Sequence, residues 1–450
     1  MSKKLLLVAF GLLFLPEMAQ AHGIGQVYAL PVPLHYYLAG AGAAVALSFF
    51  ILAIFLKKAA PSEKTDKIIK AIWLNNVVKI LQGLSVFLLV LTIATGIIGT
   101  QSPLQNFTPA FFWIYFLVGT GVLSLFIGNI WQKINPFKVI TDWVYSDSPP
   151  RSRKISGAVS IVLLLGLFWL EMVSGVSFVP RMISLVLTVY TLINLLGAKL
   201  YANWYEAGEV FSALFSFIGT LAHFRLGENN KSFVVVNETK KLDGRLAPWW
   251  ILGLATVLLA GTSFDSFKES VLWFHWLKVL GLEATKFPET IAIILAPLPF
   301  LFSYLLAVWL MKLLVGKQYK TAILAQQFVW SLIPIAFGYA LAHNFSLTIV
   351  TAPQMLAIIS DPFGFGWNLF GTVGLVGKNL LLGAKMVWFV EIGFVILAHI
   401  VGVWYAHVLA TNIFKNSKLA LKSQVPIVLL MVGYTVMTLW LLSQPLVIAK

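Results

Sequence analysis

Cysteine is absent from the 450 residues and charge is scarce: 11% of the side chains are Asp, Glu, Lys or Arg, against 59% that are hydrophobic. Without cysteine there are no disulfides, thiolate metal ligands, iron–sulfur clusters or thiol nucleophiles, so any metal must be held by nitrogen and oxygen. With so little charge, a water-facing surface of ordinary composition cannot be built, and the solvent for most of the chain must be lipid. Walker sequences, His-Glu-x-x-His helices and Gly-x-Ser-x-Gly elbows are also absent. A net charge of +15 would point to nucleic acid in a soluble chain. Here the basic residues lie in loops between apolar runs, which assigns them to membrane topology and excludes nucleic acid as a partner.

What is present begins with an export signal. Lys3 and Lys4 precede an apolar stretch from Leu5 to Leu15, Pro16 breaks it, and Ala19-Gln20-Ala21 supplies a small-x-small cleavage site. Cleavage after residue 21 makes His22 the mature amino terminus and leaves one domain, 22–450. Ten apolar runs of spanning length follow, at about 37–56, 78–99, 109–130, 155–178, 182–200, 248–264, 289–311, 322–348, 386–410 and 425–443. The expected fold is all-α, a polytopic membrane protein of about ten transmembrane helices. Loops assigned to the cytoplasm hold 22 of the 32 Lys and Arg, and those assigned outside hold 7. That asymmetry predicts a bacterial inner (plasma) membrane protein with both mature termini in the periplasm.

The segments between spans carry further expectations. A cytoplasmic insertion at about 201–247 contains an apolar stretch, Glu209 to Phe224, that suits a helix lying at the membrane interface. Beyond it, Ser232 to Val236 followed by residues 237–244 reads as a small cytoplasmic hairpin. Periplasmic loops are expected at about 264–287 and 349–385, the second long enough to act as a lid. Asp265-Ser266 and Asp361 fall in these loops as turn residues that can line the mouth of a site.

Ionisable side chains are costly inside a bilayer and are functional candidates by default. They are Glu171, His343, Glu391, His399 and His407. Glu391 lies about 9 Å below Lys385, and Glu171 and His343 lie within about two turns of the outer ends of their helices, so the three share one level. Glu391, His399 and His407 are each eight residues apart, about 12 Å along a helix, too far for two of them to ligate one ion. A centre must therefore combine helices. His343, Glu391 and Glu171, with His22 at the outer mouth, form an expected site for a divalent metal ion (zinc, iron or copper). The ordinary alternative is that these groups pair with one another or with backbone carbonyls, and His399 and His407 serve equally as cofactor ligands or as interhelical hydrogen bonders. His22, with an amine and an imidazole on one residue, would chelate copper.

Several stretches together resemble a bacterial family of integral-membrane proteins that carry the name fenitrothion hydrolase. They are His22-Gly23-Ile24-Gly25 with Leu30-Pro31-Val32-Pro33, Gly128-Asn129-Ile130-Trp131 through Asn135-Pro136, Trp169-Leu170-Glu171, Gly208 to Ser212, Phe264-Asp265-Ser266-Phe267, Ala342-His343, Ser360 to Trp367, and His399 with Ala406-His407. The family pattern has a further histidine just before Ala342-His343, where this chain has Ala340 or Leu341. The family name refers to hydrolysis of an organophosphorus phosphotriester, and the resemblance draws attention to Glu171, His343, Asp361, His399 and His407 without giving them roles. If the chain is an enzyme, the physics favours metal-assisted hydrolysis of an apolar phosphotriester, with Glu391 or Glu171 as general base. Two other functions use the same residues. A transporter or metal-handling permease would use Glu391, His399 and His407 as an ion path, and an accessory subunit would present His22 to a copper-dependent partner.

Overall fold

The computed structural model describes residues 33–55, 66–146, 152–236, 246–282, 285–375, 382–414 and 416–444. His22 and the stretch expected to be an export signal lie outside the described residues. Every backbone polar group must be bonded within the chain when the solvent is hydrocarbon, and the helix satisfies that condition locally. Nine helices among the described residues are accordingly long and apolar enough to cross a membrane. In chain order, α1 is Leu34–Phe55, α2 Leu74–Ile98 and α3 Phe107–Ile127, followed by two short helices, α4 Trp131–Ile134 and α5 Pro136–Val144. Next come α6 Ala158–Met172, α7 Pro180–Leu200 and α8 Val210–Gly219, then α9 Trp249–Lys268, α10 Val271–Leu280 and α11 Phe287–Val315. α12 Thr321–Phe328 passes through a 3₁₀ turn into α13 Ile333–Ser360, and α14 Ala384–Ile413 and α15 Ser417–Leu442 complete the bundle.

Helix ends follow the local chemistry. Asn106 caps α3 through Thr108 N, Asn135 caps α5 with Pro136 at the first helical position, and Ser270 caps α10. Gly281 closes α10 in the left-handed region, which only glycine enters freely. α13 and α14 pack along much of their length, with α1 and α15 against α14, while α9 is held between α6, α11 and α13. Glycine sets the closest approaches: a Cβ at Gly338 of α13 would clash with the Ala398 methyl of α14, and one at Gly261 of α9 would clash with the Phe168 ring of α6.

Four expectations change. The run at 155–178 yields α6, whose 15 residues rise about 22 Å, short of a 30 Å hydrocarbon core. Helical hydrogen bonding also outlasts two apolar runs: α9 continues to Lys268 and α13 to Ser360, through Pro353, so Asp265 and Asp361 are a helix-end residue and the residue that follows a helix. Finally, α8 is not a surface helix. Val210 to Phe215 and Phe217 to Gly219 are all buried, because a helix apolar on every face has no side to give to water. Nor is the Ser232–Val235 strand one arm of an isolated hairpin. It is the centre of an antiparallel three-stranded sheet, between Phe224–Leu226 and Lys67–Lys70, while residues 237–244 lie outside the described residues.

Burying α8 requires its amino-terminal N–H groups to find an acceptor, and Glu209 supplies it. The fully buried carboxylate accepts from Phe211 N at 3.0 Å, Ser212 N at 2.7 Å, Trp131 Nε1 at 3.2 Å, Asn135 Nδ2 at 3.1 Å and the Tyr190 hydroxyl. Donors from α4, α5, α7 and α8 thus meet on one side chain, and the helix dipole favours the negative charge there. Glu209→Ala leaves these donors without their acceptor, at roughly 1–3 kcal/mol for each that stays unpaired. The variant is expected to lower the unfolding temperature in detergent by several degrees, whereas Glu206→Ala at a neighbouring exposed position changes it little.

Candidate functional site

The last turn of α9 presents Asp265, Ser266 and Lys268 together, and the i, i+3 spacing puts Lys268 Nζ 3.2 Å from Asp265 Oδ1. α13 lies alongside and delivers His343. Its Nε2 is 2.6 Å from Asp265 Oδ2 and its Nδ1 is 3.3 Å from Ser266 Oγ, which also meets the Tyr339 hydroxyl at 3.3 Å. Lys268 reaches across to α6, donating to Met172 O at 3.1 Å beside Glu171. A cation placed near the carboxyl ends of two helices is favoured by both dipoles. Side-chain exposures of 15–17% for Asp265, Lys268 and His343 make this an ion-paired centre well removed from water.

Glu171, Asp265, His343 and Asn344 form the polar end of a cavity of about 70 Å³, closed elsewhere by apolar side chains such as Phe168, Leu214 and Phe337. At roughly 30 Å³ for each, that space holds about two water molecules. The charges near it almost cancel. The set joins two acids, Asp265 and Glu171, to two bases, Lys268 and His343, so a proton gained or lost changes its net charge by one. Glu269, next to Lys268 at 3.9 Å, is 44% exposed, and burial followed by the Asp265 charge pushes its carboxyl above the usual range.

The expected site residues are thus partly assembled. His343 and Glu171 line one cavity, but the carboxylate that bonds His343 is Asp265 rather than Glu391. Glu391 is buried on α14, where Oε1 accepts from Ser346 Oγ at 2.6 Å and Oε2 has no partner. On the same helix, fully buried His399 donates from Nδ1 to Val395 O at 2.8 Å and leaves Nε2 unpartnered, and His407 Nδ1 lies 3.1 Å from Gln424 Oε1. Asp361 accepts from Phe365 N at 2.9 Å and Gly366 N at 2.7 Å, so it organises its loop and borders a separate cavity. Among the described residues, no three His, Asp or Glu side chains are grouped to hold a metal ion.

No family model, curated protein or solved structure matches this chain. Its function must therefore be argued from these residues. Sequence reading missed Asp265 and Lys268 as partners of His343 because it ended the helix at Phe264. The available signal was the Asp265/Lys268 pair at i, i+3, which fits a continuing helix better than a turn.

Ser266, His343 and Asp265 have the residue types of a hydrolytic triad, but their arrangement is not that of a nucleophile. Ser266 is fully buried within a helix, its hydroxyl lies 3.3 Å from Thr262 O, and it does not line the cavity. Asp265→Ala is expected to destabilise the protein by about 3–5 kcal/mol, because it strands a buried Lys268 and removes the partner of His343. Combined with His343→Ala, the loss falls short of the sum of the two single losses by about 1–3 kcal/mol in detergent unfolding. Strict additivity would show that the pair is not coupled.

Proposed function

We propose that the chain is an inner-membrane transport protein, a permease whose Asp265–His343–Lys268 centre, with Glu171, takes up and releases a proton as a small ion or solute passes. The observation that carries this reading is the near-balanced ion-pair network facing a cavity with room for water. Two acids meet two bases there, so protonation and deprotonation change the local field by a full charge where little water screens it. Lys268 already sits against Asp265 and supplies the positive charge a divalent ion would bring, and Asp265 and Ser266 engage both ring nitrogens of His343. These contacts favour proton chemistry over a metal-dependent hydrolase, and about 70 Å³ is small for a phosphotriester.

The proposal includes ten crossings with both ends in the periplasm. α6 is short, but Asn203 just beyond α7 bonds Ile155 just before α6, at 2.8 and 3.0 Å, so the start of α6 and the end of α7 lie at one level. At the opposite level, Met172 and Pro180 are joined by only seven residues, 173–179. α6 and α7 thus traverse the same depth in opposite directions. The distribution of Lys and Arg supports placing the Ile155 and Asn203 end in the cytoplasm.

The test uses purified protein in liposomes that contain a pH-sensitive dye, with an imposed pH gradient and valinomycin to cancel the membrane potential. Wild-type protein should collapse the gradient, and Asp265→Asn, His343→Ala and Glu171→Gln should each slow the collapse at least tenfold. Wild-type flux equal to that of empty liposomes, or undiminished flux in all three variants, contradicts the proposal. Stoichiometric metal that is present in wild type and lost in His343→Ala would return the protein to the hydrolase reading.

A further inference from the structure

A second cavity, of about 190 Å³, lies between α2, α3, α5 and α7. Its deep wall is buried Leu89, Phe112, Trp131, Phe137 and Leu187, and its rim is half-buried Leu88, Phe111, Tyr115 and Phe116. Six aromatic side chains therefore surround one void. Leu117 and Val118, on the opposite side of α3, line the Asp265–His343 cavity, so the two spaces are separated by a single helix.

The aromatic wall depends on an unusual backbone. Phe111–Val118 is π-helical, and its i→i+5 bonding widens the turn so that residues four and five apart share a face. Phe111, Tyr115 and Phe116 are brought to the cavity in this way, as are Phe112 and Phe116. π-Helical turns are rare and recur at functional sites, whereas a regular α-helix would close this wall more tightly.

The lining also defines the ligand. The hydroxyls of Ser85, Thr92 and Tyr115 donate to Gln82 O, Leu88 O and Ala352 O, and the Trp131 indole donates to Glu209. These polar groups are committed elsewhere, and what faces the void is largely ring and alkyl surface. Empty apolar cavities destabilise a protein in proportion to their volume, and one of roughly 150 Å³ is large enough to bind benzene. Ring faces and edges set at many angles receive a flat aromatic guest better than a saturated chain, because edge-to-face and offset contacts then add to burial. Phe112 and Phe116 are stacked at 28°, while Phe116 is edge-on to both Phe211 and Phe215.

We propose that this cavity is a binding site for a small, uncharged aromatic molecule drawn from the bilayer between α2 and α3. The proposal does not depend on the transport reading. It is tested with full-length protein in lipid nanodiscs, photolabelled with trifluoromethyl-phenyl diazirine and mapped by mass spectrometry. Labelling should concentrate on Phe112, Phe116 and Trp131, fall at least fivefold with excess p-xylene, and persist with excess decane. Leu89→Phe, which fills the deep end, should lower labelling to the same degree. Thr120→Leu at the rim should do so as well, and it serves where Leu89→Phe fails to fold. Labelling confined to lipid-facing Leu84 and Phe87, equal competition by decane, or undiminished labelling in a folded filled variant overturns the proposal.

Discussion

Charge cannot stand alone in hydrocarbon, and the polar architecture of this protein follows from that constraint. It is met in two ways. Glu209 is met in full, by five donors from four helices, and nothing is left for a ligand or a proton to do. Asp265, Glu171, Lys268 and His343 are met collectively, by near-cancelling charges that stay open to a small cavity. The first arrangement fixes structure. The second keeps its charged groups beside a cavity, and the transport proposal rests on it.

α14 adds a third pattern. Glu391, His399 and His407 descend the helix in steps of about 12 Å, and all three are buried and hydrogen-bonded to a neighbour. Glu391 and His399 each keep one polar atom without a partner. Groups so incompletely paired in a dry interior are poor structural elements, and under the transport proposal their spacing down a helix that packs against α13 would suit intermediate stations for a proton leaving His343. The close Gly338 and Ala398 approach holds α13 and α14 together at this depth.

Much of the frame was legible in the sequence because hydrophobic length is a direct physical signal. Nine of the ten apolar runs correspond to helices of spanning length, and only α6 is shorter than its run. Glu171 and His343 stood out as ionisable groups in apolar runs, and the structure brings both to one cavity. The partners were harder to find. Asp265 and Lys268 lie past the end of an apolar run, where composition changes before the helix does. Glu209 depends on Trp131, Asn135 and Tyr190, residues 19 to 78 positions away, and no local pattern encodes that convergence. The burial of α8 was available from its apolar faces on all sides, but flanking charge at Glu206 and Arg225 drew the reading toward a surface.

The central claim is that His343 and Asp265 form one unit that shares a proton. Solid-state nitrogen NMR of histidine-labelled protein in lipid tests it most directly, with His343→Gln used to assign the signal. The account predicts that the His343 ring changes its protonation state as pH is varied across the range of activity, that its Nε2 signal shows a strong hydrogen bond to a carboxylate, and that Asp265→Asn alters both. A His343 ring with one unchanging state at every pH, indifferent to Asp265→Asn, would contradict it.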